Sequence, residues 1–149
     1  MLATIPLMSP EWSVSFEYRR KEESSITPSV IQFTIGGKVY SFGDRVPAVH
    51  ILPDGKFRIS SAINTNSDHY FIPNIEIQLD RVYKIEIHQR YISNGNYRFF
   101  IKIDGDELHS IVNTMAKQFY NVKVFASVPS QWDATDVAYI SNFQFTNFL

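Results

Sequence analysis

Cysteine is absent from all 149 residues, which excludes disulfide bridges, zinc–thiolate sites and thiol nucleophiles. Net charge is nearly absent too: fourteen Lys and Arg against fifteen Asp and Glu leave −1, so no bulk field draws the chain to nucleic acid or an anionic membrane. Long apolar runs are missing, and none approaches the roughly 20 residues that cross a bilayer, so membrane insertion is not expected. Met1-Leu2-Ala3-Thr4-Ile5-Pro6 lacks the basic-then-apolar order of a signal peptide. There is no Asn-x-Ser/Thr acceptor, internal repeat or low-complexity segment. The size is that of one domain, residues 1–149, which would bury roughly two thirds of its unfolded surface.

What the chain does have is alternation. Tyr83, Ile85 and Ile87 fall on one phase of a run, and Tyr97, Phe99, Ile101 and Ile103 on one phase of the next. Asn94-Gly95 between them is a favoured hairpin turn, and Asp104-Gly105-Asp106 returns the chain into residues 108–112. This spacing predicts a three-stranded antiparallel meander with one apolar and one polar face. Aromatic residues, 15% of the chain, suit such half-buried pleated surfaces.

The same period recurs elsewhere. Trp12, Val14, Phe16 and Tyr18 alternate with Ser13, Ser15, Glu17 and Arg19, and the mixed charges of residues 19–23 read as a solvated loop. Ile31, Phe33 and Ile35 form a strand closed by Gly36-Gly37, with Val39-Tyr40-Ser41-Phe42 continuing after the turn. Residues 46–52 and 57–63 flank the turn Pro53-Asp54-Gly55-Lys56. After a polar loop over 64–68 come residues 70–72, then Ile75, Ile77 and Leu79 in alternation. Residues 122–126 read as a strand covered on both sides, and 139–148 as a closing strand with Tyr139, Phe143 and Phe145 in phase. About twelve strands result, with at most one helical turn over 113–119. The two ends are expected in one sheet or close together, as in a module inserted in a larger protein.

Chemistry-bearing residues are few. His50, His69, His88 and His109 stand far apart, without a metal-ligating partner at close spacing. Asp44, Asp68, Asp104 and Asp106 lie in loops; Asp44 and Asp68 are the candidate oxygen ligands for calcium, the hard cation such a set would take. If Phe57, Ile59, Ser61 and Ile63 point inward, Arg58 and Ser60 point outward with Ala62 and lead to Asn64 and Asn66 at the rim. With His50, these amide, guanidinium and hydroxyl groups suit paired hydrogen bonds to sugar hydroxyls. Trp132, in a polar loop, is the leading candidate for an aromatic platform, with Tyr91 and Tyr70 beside it. Glu86 and His88 share a face, but no nucleophile or second carboxylate is set beside them, so no enzyme is expected.

Four segments together resemble the concanavalin A-like jelly-roll superfamily, with its laminin-G-like, pentraxin-like and galectin-like modules. They are Glu11-Trp12-Ser13-Val14-Ser15-Phe16; Gly43-Asp44-Arg45-Val46-Pro47-Ala48-Val49 leading to Pro53-Asp54-Gly55-Lys56-Phe57-Arg58-Ile59; the meander over 83–105; and Asn121-Val122-Lys123-Val124-Phe125-Ala126-Ser127 followed by Ile140-Ser141-Asn142-Phe143. The resemblance covers nearly the whole chain and implies an all-β, two-sheet antiparallel β-sandwich. It also implies glycan binding, cell adhesion or receptor recognition, with or without calcium. The His-x-Asn-x-Arg and Trp-x-x-Glu-x-Arg sugar patterns of galectins, the Glu-x-Asp-x-x-Glu pattern of related glucanases and the Glu-x-Asp metal pattern of legume lectins are not present. The expectation is therefore a non-catalytic recognition module for a glycan or a cell-surface or matrix protein. It would lie outside the cell or on its surface, with the cytosol as the alternative compartment, and copies could associate. The competing readings are an interaction or oligomerisation domain with no small ligand, and a glycan hydrolase of the same fold.

Overall fold

Alternating residues became strands wherever a turn let them pair. The computed structural model describes residues 1–23, 28–36, 41–126 and 138–149, and these hold eleven strands and no helix. They are β1 (Ala3–Met8), β2 (Trp12–Arg20), β3 (Ser29–Thr34), β4 (Ala48–Ile51), β5 (Phe57–Ile63), β6 (Asn66–Phe71), β7 (Val82–Ser93), β8 (Asn96–Ile103), β9 (Asp106–Asn113), β10 (Phe119–Phe125) and β11 (Ala138–Asn147). A six-stranded sheet runs β1-β10-β3-β4-β5-β6, and a five-stranded sheet runs β11-β2-β7-β8-β9, all antiparallel.

The meander forms as its pattern predicts. Asn94 and Gly95 take φ of 50° and 74°, and Asp104 and Gly105 take 52° and 86°, the left-handed pair that a two-residue hairpin needs. Register then aligns Ile85 with Ile103, Ile87 with Ile101, and, on the other flank, Phe16 with Ile85 and Tyr18 with Tyr83. These side chains are almost wholly buried and meet the inner face of the other sheet. Tyr18 and Tyr83 each stack edge-on against Phe57 at 5.6 Å, and Phe33 meets Phe145 at 5.5 Å, so aromatic pairs tie the layers together.

Several segments depart from the alternation pattern. Ile75, Ile77 and Leu79 form no strand: Ile75 N–H turns back to the Pro73 carbonyl at 2.8 Å, and only a Lys56–Glu76 bridge remains. Proline has no N–H to give a ladder, which breaks the run there. The polar stretch over 64–68 shrinks to a two-residue turn, because Asn64 adopts φ 54° and lets Asn66 pair with Ile63. Strand β10 is covered on one face only, with Val122 and Val124 buried and Lys123 exposed. In β11 a bulge with Asn142 at φ 50° switches the phase, so Ile140, Phe143 and Phe145 pack on the core while Tyr139 is exposed under Arg19. Ser41 and Phe42 lie in a turn, and Val39 and Tyr40 lie outside the described residues. Residues 114–118 link β9 to β10 without a helical turn. The terminal strands occupy different sheets, but Ser9 Oγ donates to the Phe148 carbonyl at 2.8 Å, so the C-terminal strand is anchored beside the β1–β2 turn.

Candidate functional site

With Phe57, Ile59, Ser61 and Ile63 turned into the sandwich, Arg58 and Ser60 take the opposite phase and lie on the outer face of the six-stranded sheet. Directly paired residues share a face, so register sets His50 beside Arg58 and places Ala48 and Tyr70 on either side of Ser60. Gln32 extends that row through its pairing with Ala48, and Asp68 stands two residues from Tyr70 on the same face. Arg45 comes from the segment before β4, held alongside β5 by the Ala62 N–H donating to its carbonyl at 3.1 Å.

Asp68 is the centre of this cluster. Arg45 Nη1 lies 2.7 Å from its Oδ1, and Arg58 Nη2 lies 2.7 Å from its Oδ2. The Arg58 guanidinium also lies 4.3 Å from the centre of the Tyr70 ring, whose residue is 54% exposed. Burial pushes the Asp68 carboxyl up, but hydrogen bonds from Arg58 and Arg45 outweigh it and hold the group below the ordinary carboxylate range. Desolvation, followed by the charges of Arg45 and Arg58, lowers the His50 pKa to about 4, with Asp68 opposing only in part. The imidazole is therefore neutral at pH 7. Its Nδ1 and the Ser60 Oγ are buried without a hydrogen-bond partner among the described residues. One patch thus gathers two guanidinium groups, one carboxylate, a neutral imidazole, a hydroxyl and an accessible aromatic ring.

The other expected site residues are placed differently. Ser60 shares the outward phase with Arg58 but has no exposed surface, because its neighbours close over it. Asn64 faces the end of β9: its Oδ1 accepts from Thr114 N–H at 2.8 Å and Thr114 Oγ1 at 3.0 Å. Asn66 is exposed and folds back on its own strand, its Oδ1 accepting from Asp68 N–H at 2.9 Å. Trp132 lies outside the described residues. Tyr91 stands on the long hairpin, edge-on to Tyr97 at 5.6 Å, and belongs to the other sheet.

The calcium expectation meets an unsuitable donor set. Both Asp68 oxygens already face guanidinium groups, which repel a cation. The buried Asp44 carboxylate braces its own loop, accepting from Thr34 Oγ1 at 3.4 Å and Ser41 N–H at 2.8 Å. Among the described residues, no three His, Cys, Asp or Glu side chains group as metal ligands. Asp44 and Asp68 do not fit calcium, which needs six or more oxygen ligands, a requirement that local spacing in loops cannot express.

Sequence patterning missed Arg45, because it precedes its strand and has no phase of its own. It also missed the pairing of His69 with His109, whose Nε2 atoms approach to 2.9 Å across the open edge between β6 and β9. Phe100 is on the outward phase, yet His88 stacks on it at 4.6 Å and Arg98 covers it at 3.9 Å, leaving it 8% exposed. It is therefore not the open apolar anchor that an interaction domain would need.

No family model and no curated protein sequence matches this chain. Solved structures do share its architecture. A native heptameric SAP-like pentraxin from Limulus polyphemus aligns with a TM-score of 0.60 at 15% identity, over 97% of this chain and 66% of that one. A PL-14 alginate lyase from Aplysia kurodai aligns with a TM-score of 0.55 at 9% identity, over 93% of this chain and 70% of that one. A single-residue variant of human galectin-16 aligns with a TM-score of 0.51 at 10% identity, over 98% of this chain and 94% of that one. The chain spans just under two thirds of the pentraxin's length. At these identities the likeness shows the fold, a concanavalin A-like jelly-roll β-sandwich, and the fold alone.

Proposed function

We propose that the protein is a carbohydrate-recognition module that binds saccharide on the outer face of its six-stranded sheet, without turnover. The observation that carries this reading is the Arg45–Asp68–Arg58 cluster at 2.7 Å contacts, set beside the half-buried His50 ring and the exposed Tyr70 ring. The half-buried His50 ring, next to a preoriented ion-pair network, suits a hydroxyl group brought by a ligand, while Ser60 lies beneath the face, closed over by its neighbours. Guanidinium and carboxylate groups held by each other lose little further freedom on binding. Tyr70, already stacked on Arg58, offers a ring face to the C–H side of a sugar. The resemblance to lectin-bearing jelly rolls favours the same use, and one neighbour of this fold is named for a polysaccharide, alginate. Two-carboxylate hydrolysis is less well supported, since among the described residues Asp68 is the lone carboxylate of the cluster and is engaged by two arginines.

A glycan array probed with the full chain tests this reading, and binding to a discrete set of sugars is the expected result. Tyr70→Ala should weaken that binding by roughly threefold to tenfold while changing stability by less than about 1 kcal/mol. Silence on every sugar would reject the proposal in favour of a domain that recognises protein.

A further inference from the structure

We propose that the saccharide held by this face is acidic, its carboxylate or sulfate ester lying against Arg45 and Arg58 beside His50. The proposal rests on the carbohydrate-binding reading above and names the ligand class of the same site.

The charges on the sheet's outer face carry it. Among the described residues, the outward positions of β3, β4, β5, β6 and β10 hold Arg58, Lys123 and Asp68 as charged groups, and the segment before β4 adds Arg45 together with Asp44, whose carboxylate is held by Thr34 on β3 beside Lys123. Two guanidinium groups, whose side chains are only 10% and 18% exposed, converge on the single carboxylate of Asp68, so these three residues together carry a net positive charge. Positive charge drawn out of water favours an anion brought beside it. His50 stands next to these arginines as a neutral ring, so it adds a hydrogen-bonding group without changing that balance at pH 7.

Geometry adds direction. A guanidinium presents a planar fork that matches the paired oxygens of a carboxylate or sulfate, and two forks converge here on one point. The orphaned Ser60 Oγ and the His50 ring lie on the same two strands, within the row that register builds from His50–Arg58 to Ala48–Ser60. An anionic sugar would offset the charge of these guanidinium groups. A neutral sugar could meet the imidazole and the tyrosine ring but would leave the positive charge of the two guanidinium groups and Asp68 as it is.

The test compares an oligouronide, the same oligosaccharide with its carboxyl groups reduced to hydroxymethyl, and a sulfated neutral oligosaccharide, each titrated calorimetrically against the full chain. The uronide or the sulfated sugar should bind on the order of tenfold tighter than the reduced form, and more weakly as salt is raised. The winning arm distinguishes carboxylate from sulfate. Arg58→Gln and Arg45→Gln should each remove most of the acidic preference, bringing the ratio of acidic to reduced-sugar affinity close to one. Arg58→Lys, which keeps the charge but not the fork and is the safer variant for folding, should retain part of it. Equal affinity for acidic and reduced sugars overturns this inference and leaves carbohydrate binding standing. An acidic preference untouched by both glutamine variants overturns the placement at these arginines, and no binding of any probe rejects the underlying reading itself.

Discussion

His50 links the candidate site to the stability of the molecule. Its folded pKa of about 4 lies below the ordinary 6.5 because burial and then the Arg45 and Arg58 charges disfavour the imidazolium. The unfolded chain therefore binds this proton more tightly. Stability from His50 is fully present above about pH 6.5 and is lost as pH falls from there toward about 4, on the order of 3 kcal/mol in all. His88 is lowered as well, first by desolvation, and contributes with the same sign. Asp68, held low by its arginines, adds a further loss only at still more acid pH. The urea midpoint should thus fall between pH 7.5 and pH 4.5, and His50→Gln should flatten much of that slope. A midpoint that stays constant over this interval would contradict the burial of His50. Tyr70, by contrast, is a residue whose loss should touch binding and not folding.

At the scale of elements, the open edge between β6 and β9 is closed by side chains alone. His69 and His109 have ring centres 5.2 Å apart and Nε2 atoms 2.9 Å apart, so the rings meet nearly head to head and one neutral imidazole donates to the other. Phe71 stacks on His109 at 4.7 Å and Phe99 meets His69 edge-on at 6.5 Å. Desolvation lowers both histidines; Asp68 partly opposes this for His69, while His69 lowers His109 further. When both are protonated, two N–H groups face each other and the bond is lost. Amide exchange in β6 and β9, corrected for its intrinsic pH dependence, should therefore accelerate as pH falls below the ordinary histidine range in the wild type but not in a His69→Phe, His109→Phe double variant. A second tie lies at the end of β9. There the buried Asn113 accepts from Asn64 N–H at 3.0 Å and Met115 N–H at 3.1 Å, and donates to Gln89 Oε1 at 2.9 Å. Asn113→Ala strands all three partners and should cost about 2 to 4 kcal/mol, read from the shift in urea midpoint.

For the molecule as a whole, the two sheets share one core rather than two. Phe57 of the six-stranded sheet touches Tyr18 and Tyr83 of the five-stranded sheet, and Phe33 touches Phe143 and Phe145. Removing one ring leaves a cavity bounded by both layers. Phe57→Ala should lower stability by about 3 to 5 kcal/mol. It should do so without separating the transitions seen by far-UV circular dichroism and by aromatic fluorescence, because neither sheet can bury its inner face alone. Transitions that part company would show that the layers unfold independently.

The sequence alone determined which side chains face inward along most strands and where the tight hairpins fall. Both are local: a pleat alternates every residue, and Asn94-Gly95 or Asp104-Gly105 sets its own backbone twist. Arg58 and Ser60 were therefore legible as outward-facing, whereas register alone set His50 beside Arg58 and Tyr70 beside Ser60. Tertiary structure decided the rest, because register, bulges and strand order are settled by partners far along the chain. Asn142 at φ 50° inverted Tyr139, the chain turned back from Ile75 to Pro73 where an alternation was expected to begin, and Asn64 turned toward Thr114. Only the order β4-β5-β6 brought Arg45 and Asp68 into contact, turning an apparent calcium ligand into the anchor of two arginines. A carboxylate in a sequence carries no mark of which charge it will meet; the fold supplies that neighbour, and with it the chemistry.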